Sequence, residues 1–150
     1  MSNKRWAKFV AAGPGTVGGR YLRLFWQPVS LSKNLAAGKA VPVHVMGERY
    51  KLYRGDADAP HVVGFRSAYR STQLSNGWVE GDAIRCMYHG WKYDKRGARI
   101  ERPGEKSTGA YPQANIAGYL TRKFLGLIYA YFGRTKHRSF HLFRHLATSA

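Results

Sequence analysis

Between residues 41 and 65 apolar and polar positions alternate in short runs, the period expected of strands that turn one face inward. Val41-Pro42-Val43-His44-Val45 alternates, Tyr50-Lys51-Leu52-Tyr53 keeps a similar beat, and His61-Val62-Val63-Gly64-Phe65 is the next apolar run. Arg54-Gly55-Asp56-Ala57-Asp58 separates the last two and reads as a turn. Ala83-Ile84-Arg85 predicts a shorter strand, and Trp91-Lys92-Tyr93-Asp94 leads into a turn at Lys95-Arg96-Gly97. The last run, Phe124 to Phe132, predicts one aromatic-rich strand ended by Gly133. Upstream, Thr16 predicts the cap of a short helix through Tyr21, Leu22 and Phe25, stopped by Trp26-Gln27-Pro28. Short strands at roughly 8–12-residue spacing predict an all-β fold, a small antiparallel sandwich or barrel with a short N-terminal helix.

Composition narrows the class. The 150 residues are 44% hydrophobic and 14% aromatic, enough for one core and too rich for a disordered chain. No run approaches the ~18 apolar residues of a membrane span. The basic start Met1-Ser2-Asn3-Lys4-Arg5 leads into glycine and not into an apolar signal core, so a cytoplasmic protein is expected. Gly13-Pro14-Gly15-Thr16-Val17-Gly18-Gly19-Arg20 follows no strand and lacks the Gly-Lys-Ser/Thr ending of a phosphate loop; turn-forming glycine explains it. A single cysteine, Cys86, excludes an internal disulfide. The net charge of +17 invites a polyanion partner, but its basic residues are scattered and form no single block. His137, His141 and His145 recur every four residues in the tail, with no acid or cysteine to complete a metal shell.

The segment with most chemistry is Cys86-Met87-Tyr88-His89-Gly90-Trp91. It sets a thiol and an imidazole three residues apart, able to face one metal site, with a glycine that permits close backbone approach. Taken alone the pair fits packing and surface roles equally well. Its surroundings add more. His61 to Leu74, Gly77-Trp78-Val79-Glu80-Gly81-Asp82 and Tyr88 to Asp94 together resemble the Rieske domains of ring-hydroxylating oxygenase large (alpha) subunits. Arg20 to Val29 is similar to the segment before such a domain and Gly126 to Gly133 to the strand that closes it, so the resemblance covers about residues 13–133.

That resemblance implies a [2Fe-2S] cluster, with one iron held by two cysteines and the other by two histidines. The family draws them from a Cys-x-His pair and a Cys-x-x-His pair about seventeen residues later. Cys86 and His89 match the second pair; Ser67 and Tyr69 stand at the positions of the first. Each iron would lose one protein ligand, and serine or tyrosine oxygen is harder than what it replaces, which argues against normal cluster assembly. The implied ancestral role is an electron relay from a reductase or ferredoxin to a mononuclear iron site in a following domain, which is expected to be missing from this chain. The expected organisation is an arm and helix over 1–30, the Rieske-type domain over 31–133 and a non-native or disordered basic tail over 134–150, which reads as a frameshifted continuation. Two other classes compete: a cluster-free module (or a non-functional remnant) binding a reductase or an intact oxygenase subunit, and a basic nucleic-acid-binding β-domain, against which the oxygenase resemblance weighs. His44 and His61 are expected in structural roles, Trp26, Trp78 and Trp91 in the core, and Arg66 and Arg70 beside Glu80 or Asp82.

Overall fold

The structure, a computed structural model, describes residues 10–68, 74, 77–103 and 114–133. The helix α1 (Val17–Leu22) starts as predicted: the Thr16 hydroxyl accepts the Gly19 N–H at 3.0 Å. The chain then enters β1 (Trp26–Leu31), with Pro28 inside the strand and a register shift between Pro28 and Ser30. A strand over 26–31 is not predicted by the sequence, because Pro28 reads there as a helix stop. The proline is tolerated because β1 is the edge of its sheet, where a missing N–H costs no ladder bond.

The predicted runs become β2 (Ala40–Val45), β3 (Glu48–Arg54) and β4 (Pro60–Gly64). β5 (Trp78–Glu80), β6 (Ala83–Arg85), β7 (Lys92–Tyr93) and β8 (Arg99–Glu101) follow. The run read as one strand over 124–132 is instead a hairpin, β9 (Gly118–Phe124) and β10 (Leu127–Tyr131). Leu125 and Gly126 turn it with φ of 45° and 76°, the paired positive φ of a two-residue hairpin turn. Met46 and Gly47 turn β2 into β3 in the same way, with φ of 49° and 76°.

Six strands form one antiparallel sheet in the order β1-β10-β9-β4-β3-β2, whose two end strands come back towards each other; β5 to β8 form a second sheet in chain order. Two cores result. Leu35, Tyr50, Leu52, Val62, Ile128, Ala130 and Phe132 fill the first, inside the curl of the large sheet. Tyr53, Val63, Leu74, Ile84, Cys86, Trp91 and Tyr93 fill the second, where the two sheets meet. β3 and β4 feed both cores from alternate positions, so their residues are buried on both faces. Lys51 shares the parity of Tyr53 and is fully buried between Pro42 and Val63, its ammonium without a hydrogen bond.

Trp91 packs in the second core, as expected, but Trp78 is 47% exposed: it lies on the edge strand β5 and donates its indole N–H to Glu80 at 2.6 Å. Among the described residues no helix is long and apolar enough to cross a membrane.

Candidate functional site

The two loops singled out in the sequence lie against each other at the second core. Loop one follows β4; loop two joins β6 to β7. In loop two the Cys86 N–H donates to the Trp91 carbonyl at 2.8 Å and the Gly90 N–H donates to the Cys86 carbonyl at 3.0 Å. Gly90 closes this turn at φ 69°, and a Cβ there would press on the Pro103 ring. Cys86 and Trp91 are thereby buried, whereas Met87, Tyr88 and His89 are exposed at the tip. The Tyr88 and His89 rings meet edge to face, centroids 4.2 Å apart. Arg85 steadies the loop from behind, donating to the Gly90 carbonyl at 2.7 Å, and Arg99 lies 4.9 Å over the Trp91 ring.

The start of loop one is tied to β7, at the end of loop two, through Tyr93. The Ser67 hydroxyl and the Tyr93 phenol share a buried hydrogen bond of 2.9 Å, and the Ala68 N–H donates to the same phenol oxygen at 3.2 Å. Ser67 is 2% exposed and Tyr93 fully buried; that burial pushes the Tyr93 phenol above its ordinary pKa. Gly77 brings the far end of the loop onto β6, since a Cβ there would overlap the Arg85 carbonyl.

The structure thus brings Ser67 and Cys86 to one place: Ser67 bonds to Tyr93, and Cys86 packs in the same core cluster as Tyr93. His89 stands at the exposed tip of loop two. Tyr69 and Arg70 lie outside the described residues, as do His137, His141, His145 and the tail 134–150. Glu80 pairs with Arg85 at 2.8 Å and Lys92 at 3.0 Å, and Asp82 faces His61 at 3.7 Å. Sequence reasoning missed Tyr93 and Arg85, the two side chains that fix the loops. Their roles rest on contacts with Ser67 and with the Gly90 carbonyl, which no local pattern signals.

The donor chemistry can be tested against a cluster of the Rieske kind, which takes two thiolates on one iron and two imidazoles on the other. The whole chain contains one cysteine. Among the described residues no group of three or more His, Cys, Asp or Glu side chains is gathered as a metal would need, and the Ser67 oxygen is engaged with Tyr93. Among the described residues, the side chains do not make up that set of two thiolates and two imidazoles.

A curled antiparallel sheet carrying a small second sheet with two apposed loops defines a domain of the Rieske class. The Rieske [2Fe-2S] domain profile matches residues 25–112, and the chain belongs to that family. It is 34% identical over 130 residues to the 5,5'-dehydrodivanillate O-demethylase oxygenase subunit of Sphingobium sp., covering 84% of this chain and 31% of that protein. It is 36% identical over 124 residues to the phenoxybenzoate dioxygenase subunit alpha of Ectopseudomonas oleovorans, covering 82% and 30%. Among solved structures, Pseudomonas putida CBB5 NdmA superposes with a TM-score of 0.68 at 30% identity, over 75% of this chain and 35% of that one. The chain spans about a third of the length of the curated relatives it matches.

Proposed function

We propose that this chain is a Rieske-type module of an oxygenase subunit that keeps the paired-loop scaffold of an electron relay without completing its [2Fe-2S] cluster. Its ancestral task is the transfer of electrons from a reductase or ferredoxin to a mononuclear iron; the role left to the scaffold is association with such a reductase or with an intact oxygenase subunit. One observation carries the reading: Ser67 and the chain's single cysteine, Cys86, adjoin the same buried Tyr93, and Ser67 spends its hydroxyl on that phenol. A serine hydroxyl ionises far above neutral pH and is a hard donor, so it is a poor stand-in for thiolate on a sulfide-bridged iron. Cys86 and His89 are the residues of the second ligand pair, and Ser67 and Tyr69 occupy the positions of the first. The fold does not rely on a cluster to join the loops, because Tyr93 holds loop one by two hydrogen bonds.

Iron and acid-labile sulfide content, with a visible spectrum, tests this on protein purified without air. The expected product is colourless and iron-free, with an intact β-type circular dichroism. The double substitution Ser67→Cys/Tyr69→His then takes up about two irons and two sulfides per chain with a Rieske-type spectrum. Wild-type protein carrying about two irons and two sulfides would overturn the proposal and reinstate the relay.

A further inference from the structure

The large sheet opens at one point away from the two loops. β4 and β9 pair only through Val62 with Tyr119 and Val63 with Gly118. Pro60 has no N–H with which to continue the ladder, and past Tyr119 a cleft of about 730 Å³ lies between the 57–60 segment and β9. The turn carrying Lys95 and Arg96 lines the same cleft. Glycines set that turn directly on the sheet: a Cβ on Gly97 would run into the Ile116 carbonyl, and one on Gly118 into the Arg96 backbone.

The charge lining this cleft is one-sided. Lys95, Arg96, Arg122 and Lys123 face a single lining carboxylate among the described residues, Asp58. That carboxylate is already neutralised by Arg54 at 2.7 Å and Lys123 at 2.9 Å, which hold it below its ordinary pKa. The Lys95 ammonium and the Arg96 guanidinium have no partner among the described residues. His61, 9% exposed, also lines the cleft; its Nε2 makes no hydrogen bond and stands 3.7 Å from Asp82. Two uncommitted cations, Lys95 and Arg96, therefore border one cavity, beside an imidazole whose Nε2 faces Asp82. An isolated surface lysine implies nothing of the kind.

We propose that this cleft is a binding site for a phosphate-bearing organic molecule. A guanidinium offers a planar fork that matches two phosphate oxygens, and a multiply charged phosphate can engage Arg96 and Lys95 together where a carboxylate satisfies one. Tyr119 and Leu120 supply apolar lining for the organic part, and the volume lies within the range of small-molecule sites. The proposal is independent of the cluster reading, since none of its residues belongs to the two loops.

The test is titration calorimetry of the full chain with pyrophosphate and with adenosine diphosphate, at about 0.15 M salt, where diffuse attraction is screened. Both are expected to bind saturably at one site. The double substitution Lys95→Ala/Arg96→Ala weakens binding about tenfold or more, the worth of one charge-assisted contact. Lys33→Ala/Arg49→Ala removes the same charge outside the cleft and leaves affinity unchanged. Absence of saturable pyrophosphate binding overturns the proposal. So does equal weakening by the two double variants, which would assign the binding to the overall +17 charge. Pyrophosphate binding with exclusion of adenosine diphosphate overturns the organic part of the ligand.

Discussion

The two sheets of this domain are held together by different physics. In the large sheet most strands run for five to seven residues, and its inner face closes over an apolar cluster of Leu35, Tyr50, Leu52, Val62, Ile128, Ala130 and Phe132. In the small sheet the strands are two or three residues long. Ile84 and Tyr93 anchor it inward, while its outer part is joined by a charged network of Glu80, Arg85, Lys92 and Glu101. Burial is non-directional and robust; a network of partly exposed charges is geometrically exacting and worth little per pair. The fold therefore places its stability in the large sheet and leaves the sheet that carries the Cys86 loop comparatively replaceable. The contrast can be broken or sharpened by substitution.

The largest effect is expected from Leu52→Ala, at a fully buried position of the first core. It leaves a cavity in a packed apolar cluster, and a loss of about 3–5 kcal/mol is expected by chemical denaturation. A loss below about 1 kcal/mol would mean that the large sheet does not dominate.

Lys51 tests the seam between the sheets. Burial lowers its pKa from 10.5 to about 8, because no partner repays the desolvation of its ammonium. The sign follows from proton linkage. Between about pH 8 and 10.5 the unfolded chain holds this proton and the native chain has released it, so stability rises with pH across that window and is at its penalised floor below it. Lys51→Met keeps the aliphatic stem and discards the charge. It should raise stability at pH 7 by about 2–3 kcal/mol and flatten the slope between pH 8 and 10.5. Urea midpoints measured across that range decide it, and an unchanged slope would show that Lys51 reaches water.

The same contrast explains what was legible in the sequence. β2 and β3 are visible by alternation, β4 as an apolar run bounded by a turn, and the Thr16 cap because a threonine before a helical run is a local signal. β1 was hidden by Pro28, whose tolerance depends on an edge position that only the sheet order reveals. The run 124–132 was read as one strand because Leu125 at positive φ is a conformation leucine rarely adopts and Gly126 was the only clue. β5 and β8, of three residues each, are too short for a period. At the site, the motif singles out Cys86, His89 and Ser67 as candidates, and the structure sets Ser67 and Cys86 beside one buried Tyr93. The bond from Ser67 to Tyr93 is not legible in the motif, since it spans 26 residues and joins loops whose apposition is tertiary. Lys51 belonged to a visible strand, but nothing local states that both faces of that strand are covered.

The smallest effect is expected in the small sheet, and its form matters more than its size. Glu80 receives hydrogen bonds from Arg85 at 2.8 Å and Trp78 at 2.6 Å and pairs with Lys92 at 3.0 Å, which draws its pKa down from 4.5 to about 2, with Arg85 the largest cause. Glu101, paired with Arg85 and Lys92, is also lowered. A carboxylate with a depressed native pKa contributes its stability above the unfolded value and loses it as pH falls towards the native one. The wild-type chain should therefore lose stability between pH 4.5 and about 2, and Glu80→Gln should flatten part of that acid limb while costing little in the large sheet. High salt should shrink the same limb, because these charges are exposed enough to be screened. The network also holds the guanidinium that grips the Gly90 carbonyl, so freeing Arg85 should loosen the Cys86 loop first. Amide exchange at Cys86 and Gly90 reads this directly, since both N–H groups are bonded within the loop. Faster exchange there in Glu80→Gln, with Leu52 and Val62 amides unchanged, would show that the loop sheet opens on its own; uniform acceleration would show one cooperative unit and erase the distinction between the two sheets.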